Sequence, residues 1–276
     1  MKIGVRAHDY GCKEPEKLAE TLCNAGFEAC QLALTKAIAG INSLNDVTPE
    51  KLEQIESAFL NYNVEISVLG CYVEIGLPNR DDRLSEVDKF LTGLDYAKEL
   101  GVNLIGTETT YFNISSMEGK LSREETYQNM KDSVLKMIEK AERIGVNVGI
   151  ETVADHTLHS AEMTRRLLDE VGSKRLHVIF DPVNLILSQQ DIERQDEIFS
   201  EFIDVVGKDI SVLHVKDVVV EDGEKVWRNI GQGDINYAPV IKSLKALPKE
   251  IPALREHVRP ESANIDIRAL KKLTKQ

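Results

Sequence analysis

Short runs of β-branched and apolar residues recur along the chain, and each is followed by a stretch with helical apolar spacing. Lys2–Ala7 alternates, so Ile3, Val5 and Ala7 face one way and Gly4, Arg6 and His8 the other. In a barrel strand the first set meets the helices and the second points inward. Glu14–Ala25 reads as a helix, with Pro15 suited to its first turn and Gly26 as its stop. Phe27–Leu34 is a second strand. Thr48 and Pro49 open a helix to about Asn63, and Val64–Tyr72 is a third strand. Leu84–Leu100 is helical and ends at Gly101. Val102–Gly106 is a fourth strand, leading to Thr107-Glu108-Thr109. A capping box, Ser122-Arg123-Glu124-Glu125, opens a long helix that stops at Gly145. Val146–Ile150 then runs into Glu151, and Ser160–Val171 is a helix stopped by Gly172. The sixth strand, within Leu176–Leu185, breaks at Asp181-Pro182, where proline removes a ladder donor. A helix over Asp196–Val206, a strand at Val212–Val215, a helix from about Ala238, a strand at Ala253–Leu254 and a helix from Ala263 complete the pattern.

Eight strands alternating with about eight helices imply a parallel sheet that closes on itself. The expected fold class is α/β, a single (β/α)8 TIM barrel forming one domain over 1–276; a doubly wound open sheet is the runner-up. The length of 276 residues fits one barrel. Gly101-Val102-Asn103 and Gly145-Val146-Asn147 each follow an amphipathic helix and lead to a Thr/Glu strand end, so one helix–turn–strand unit is reused. No linker or low-complexity run marks a boundary.

Composition narrows the partners. A formal net charge of -12 leaves no basic surplus to neutralise phosphates, which argues against nucleic acid and against an anionic membrane surface. No apolar run is long enough to span a bilayer, and the start lacks a leader-like apolar stretch, so a cytoplasmic location is expected. Cys12, Cys23, Cys30 and Cys71 show no metal or disulfide spacing; Cys23 and Cys30 read as core residues. A homo-oligomer is left open.

The chemistry gathers at strand ends. Glu151, Asp181, His214 and Glu256 each sit at or near the carboxyl end of a strand, where a barrel builds its active site. Any one of them alone reads as solvated or packed. Together, three carboxylates and an imidazole on consecutive strands make a hard, oxygen-rich site for one divalent ion. Lys216 lies on the face of His214 and either offers a cation to substrate or pairs with Asp217 or another carboxylate. Asn184 either binds a hydroxyl or caps the turn after Pro182. Glu108, Arg6, His8 and His156 are further substrate-binding candidates, each with a solvated or packed alternative. His257 reads as structural, Gly231-Gln232-Gly233-Asp234 as a plain turn, and Trp227 and Tyr72 as core or pocket wall.

GIET, FDPVN, LHVKD, GQGD and REH, in this order, resemble the xylose-isomerase-like TIM-barrel superfamily of sugar phosphate isomerases and epimerases, over essentially the whole chain. The resemblance implies that Glu151, Asp181, His214 and Glu256 hold one Mn, Mg, Co or Zn ion. It also implies that Glu151 and Glu256 are the acid/base pair, acting on a small carbohydrate, keto-sugar or sugar phosphate through an enediolate. A dehydratase of the inosose or dehydroshikimate type is the alternative on the same scaffold, and a non-catalytic sugar-binding barrel a third. The chain departs from the ketose 3-epimerase pattern at Asn184, where those enzymes carry a substrate-binding His, and at Val220, where they carry an Arg.

Overall fold

The structure, a computed structural model, describes residues 1–117 and 119–275. Strands β1 (Ile3–Arg6), β2 (Ala29–Leu32), β3 (Glu65–Gly70), β4 (Leu104–Thr107), β5 (Asn147–Glu151), β6 (Leu176–Phe180) and β7 (Ile210–Val215) follow the expected order. A two-stranded antiparallel hairpin, β8 (Asp217–Glu221) and β9 (Glu224–Arg228), comes next, and then β10 (Ala253–Arg255). The closed barrel runs β1-β10-β7-β6-β5-β4-β3-β2, and its neighbouring strands pair in parallel. The expected TIM barrel is therefore the observed one, and the open-sheet alternative falls.

The helix punctuation behaves as its chemistry dictates. Thr48 accepts from the Lys51 amide, Ser122 and Glu125 form the reciprocal capping box, and Gly145 and Gly172 close their helices in the left-handed conformation. Three local features differ from the expectation. The helix expected from Leu84 begins at Arg80, because Asn79 caps it through the Asp81 and Asp82 amides and its first turn is polar. The hairpin was not foreseen, although Asp222 and Gly223, at φ 52 and 83, form the Asp-Gly turn that suits a two-residue connection. Cys30 is buried as expected, but Cys23 is exposed; in its helix Leu18, Ala19 and Leu22 take the inward face.

Alternation along the strands separates two cores. Ala29, Val68, Leu104, Ile179, Val212 and Leu254 fill the barrel interior as a cluster of their own. Ile3, Val5, Leu69, Ile105, Val148, Phe180 and Leu213 face outward into the larger core beneath the helices. The interior layer is tight enough to demand glycine. A Cβ at Gly4 would lie 2.5 Å from the Ala29 carbonyl oxygen, and one at Gly106 would lie 2.5 Å from Ile179 Cδ1.

Two outward-facing charges tie the barrel's carboxyl end to its surroundings. Arg255 is fully buried, pairs with Asp266 of the last helix at 3.0 Å, and donates to the Arg228 carbonyl at 2.9 Å and to the carbonyl of Glu256. Asp266 also accepts from the Ile230 amide at 2.6 Å. Asp217 accepts from the amides of Gly231, Gly233, Ile235 and Val218, so the Gly231–Asp234 segment is a turn wrapped around a buried carboxylate.

The glycine layer gives a stability prediction. Gly4→Ala presses a methyl group onto backbone, which the barrel cannot relieve by rotating a side chain. We expect a loss of about 1–3 kcal/mol, the usual cost of overpacking. Urea unfolding should show it as a lower midpoint with unchanged slope; a wild-type midpoint would contradict the packing described.

Candidate active site at the carboxyl ends of the strands

The interior parity continues past the packed layer into the mouth. Two residues beyond Gly4, Ala29, Gly106, Gly149, Ile179, Val212 and Leu254 come Arg6, Gln31, Glu108, Glu151, Asp181, His214 and Glu256. Side chains two apart on a strand share a face, so a ring of polar groups stands directly above the apolar layer.

Glu151, Asp181, His214 and Glu256 are all buried. One ligand-capable atom each from Glu151, Asp181 and His214 lie within 4.8 Å of one another. His214 Nδ1 stands 3.3 Å from Glu151 Oε2 and 3.4 Å from Glu256 Oε1, and it makes a hydrogen bond to neither. Its other nitrogen, Nε2, lies 2.7 Å from Gln31 Oε1. Asp181 accepts through Oδ1 from the amides of Val183 and Asn184, so the carboxylate itself caps the turn after the strand. Asn184 does not cap; its Nδ2 donates to Glu151 Oε1 at 2.6 Å.

Lys216 settles among carboxylates rather than beside Asp217. Its Nζ is 2.7 Å from Asp181 Oδ2 and 3.3 Å from Glu256 Oε2. Arg6 reaches Glu256 Oε2 at 3.4 Å and is oriented by Asp9, which accepts from its Nε and NH2 at 2.9 and 2.8 Å. Asp9 also accepts from the Val258 amide at 3.0 Å, just beyond Glu256 in the chain. Trp227 on β9 stacks on His257 at 4.0 Å between ring centroids, and Lys216 Nζ is 5.7 Å from the Trp227 ring. The stacked pair thus stands beside Lys216, on the hairpin side of the cluster.

The electrostatics record a shortage of positive charge. Burial, reinforced by Glu151 and Glu256, pushes the Glu108 carboxyl up to about 8. Burial also raises Asp181, to about 6, against the pull of Lys216. Burial disfavours the His214 imidazolium, yet Glu256 and Glu151 outweigh it and hold its pKa near 9. Glu256 goes the other way: His214, Lys216 and Arg6 overcome burial and keep it well below the carboxylate range. The cluster thus asks for a cation, and a hard donor set with an imidazole nitrogen suits a divalent one.

The remaining expectations fall at the margin. His8 sits in a short turn after β1, edge-on to Tyr72 with ring centroids 6.2 Å apart, and burial with Arg6 and Lys36 lowers its pKa to about 4. His156 is buried against Tyr111, with ring centroids 4.3 Å apart. Among the described residues it makes no hydrogen bond or ion pair to the four clustered side chains. Gln31 and Asp9 are functional neighbours that the sequence reading passed over. The parity of β2 would have found Gln31; nothing local singles out Asp9.

A model of the xylose isomerase-like TIM barrel family matches residues 20–273. No curated protein matches the chain by sequence. Solved structures do resemble it. The 3-keto-D-glucoside 4-epimerase of E. coli, in apo form, superposes with a TM-score of 0.77 at 18% identity over 100% of both chains. A D-tagatose 3-epimerase-like protein gives 0.77 at 19% identity, over 100% of this chain and 97% of the other. The IOLI protein with a bound zinc atom gives 0.72 at 16% identity, over 99% and 98%. At these identities the likeness is one of fold. The family model spans nearly all of a chain that folds as the closed barrel the model describes, and the protein belongs to the xylose isomerase-like TIM barrel family.

Proposed function

We propose that the protein, acting as one domain, is a divalent-metal-dependent isomerase or epimerase of a small sugar, keto-sugar or sugar phosphate. The observation that carries this reading is the His214 imidazole, whose unpartnered Nδ1 faces the buried Glu151 and Glu256, with Asp181 completing a tight ligand set. Glu151, Asp181, His214 and Glu256 would hold the ion. Once bound, it would supply Lewis-acid polarisation of a substrate carbonyl and its neighbouring hydroxyl. The fold likeness to sugar epimerases and to a zinc-bearing relative supports the same assignment.

The chain's own residues supply the proton chemistry. Glu151 on β5 and Glu256 on β10 come from either side of β7 in the barrel and each approaches His214 Nδ1, so a substrate seated there would meet both carboxylates. One removes the carbon-bound proton, giving an enediolate, and the other returns one. Asn184, donating to Glu151, fixes the orientation of that base. Arg6 and Lys216 hold Glu256 ionised. Lys216 would present a fixed positive charge to a developing oxyanion. His8, His156 and Glu108 would be the contacts for the substrate's outer hydroxyls.

A second reading has one observation in its favour. Glu108, held largely protonated near neutrality by its pKa of about 8, is an acid that could protonate a departing hydroxyl. That would suit a dehydratase.

Two outcomes follow. Asp181→Ala and His214→Ala should stay folded and lose the bound ion, because each removes a ligand and leaves the cation under-coordinated. Elemental analysis after purification in Mn2+ measures this; metal content equal to wild type in both variants would refute the ligand set. Glu151→Gln and Glu256→Gln should keep the ion while solvent deuterium incorporation into substrate drops about 10²–10⁴-fold, the usual contribution of a general base. A panel of ketoses, ketose phosphates and inososes in D2O supplies the substrate. Full exchange in both variants with metal retained would exclude the two-base scheme.

A further inference from the structure

We propose that Gln31 is a positioning residue that fixes the tautomer of His214 and keeps its Nδ1 lone pair turned towards the carboxylates. The tautomer assignment stands on hydrogen bonding alone; its consequence for metal affinity rests on the reading of His214 as a ligand.

Gln31 is buried on β2, reaching across the mouth to His214 on β7, with β10 and β1 between their strands. Its amide is held at both ends. Nε2 donates to the Tyr72 hydroxyl oxygen at 2.7 Å, and Oε1 faces His214 Nε2, also at 2.7 Å. A carbonyl oxygen only accepts, so His214 Nε2 carries a proton. The opposite nitrogen agrees. An N–H at Nδ1 donating to a carboxylate oxygen would close to about 2.7–2.9 Å, as charge-assisted bonds do. The observed separations are 3.3 and 3.4 Å, without hydrogen-bond geometry. In the neutral ring, the form that can bind an ion, Nδ1 is therefore the nitrogen left with a lone pair.

The orientation of one amide selects between two sites. With Oε1 towards the imidazole, the pocket has three carboxylates, a lone pair and an unmet need for a cation. With the amide flipped, its N–H would face Nε2, the ring proton would move to Nδ1, and the pocket would lose its nitrogen ligand. Gln31 thus acts on the site through His214, as partners of metal-bound histidines commonly do, fixing ring orientation and tautomer.

The test uses full-length protein with 15N-labelled histidine, as wild type, Gln31→Leu and Gln31→Glu. In metal-free wild type brought to the pH at which His214 is neutral, 15N NMR should place the proton on Nε2. Gln31→Glu keeps an acceptor and should preserve that signature; Gln31→Leu should lose it. Zn2+ titration should give an affinity about 10–100-fold weaker in Gln31→Leu, the usual cost of removing such a partner, with Gln31→Glu restored to wild type or better. Thermal unfolding of the metal-free proteins separates this from general damage, and the wild-type spectrum decides the tautomer even if Gln31→Leu does not fold. A proton on Nδ1 in wild type overturns the proposal, as does a Gln31→Leu protein that keeps the Nε2 proton and wild-type Zn2+ affinity. Should wild type bind no Zn2+ while its Nε2 proton depends on Gln31, the functional reading fails and the positioning role of Gln31 is upheld.

Discussion

Buried negative charge at one end of the barrel is the constraint on which the rest of the site depends. Glu151, Asp181 and Glu256 are withdrawn from water within reach of a single imidazole. A buried charge without compensation costs several kcal/mol even after relaxation, so every neighbour is recruited. Lys216 bridges Asp181 and Glu256, Arg6 leans on Glu256, Asn184 donates to Glu151, and two backbone amides cap Asp181. The compensation is incomplete. Arg6 is shared with Asp9, and both Glu108 and His214 are drawn towards their protonated forms. A site that pulls protons onto a carboxylic acid and an imidazole at once is short of positive charge, and the proposed cation would supply it.

The barrel makes this concentration of charge affordable by separating functions along each strand. Inward positions are glycine or apolar in the packed layer and become polar two residues later. Outward positions serve stability throughout, even where they are charged. Arg255 and Asp217 are the instructive cases, each adjacent in sequence to a site residue yet facing away from it. Arg255 clamps the hairpin base and the last helix, and Asp217 organises the turn that follows the hairpin. They hold in place the strand ends that present Glu256 and Lys216.

Much of this was legible in the sequence, and for physical reasons. Proline, glycine and capping residues punctuate the chain so regularly that the alternation of strand and helix, and hence the closed barrel, follows from local chemistry. The four clustered side chains were visible because they stand at the ends of apolar runs, Asp181 most plainly, since Pro182 ends its strand. Gln31 was missed although it obeys the same parity, two residues beyond Ala29, because glutamine within a short strand carries no chemical signature of its own. The hairpin was missed although Asp222-Gly223 announces it. The pairing of Lys216 with Asp181 and Glu256, the Asp9 clamp on Arg6 and the packing of His156 on Tyr111 join residues far apart in sequence or depend on loop conformation. No local pattern encodes them.

The most direct test of the account is a crystal structure of the protein grown with Mn2+, with the ion located by its anomalous scattering. The account predicts one strong peak within bonding distance of Glu151, Asp181, His214 Nδ1 and Glu256, with Lys216 withdrawn from Asp181. A site without metal, in which Lys216 still bridges Asp181 and Glu256 and His214 Nδ1 donates to a glutamate, would contradict it.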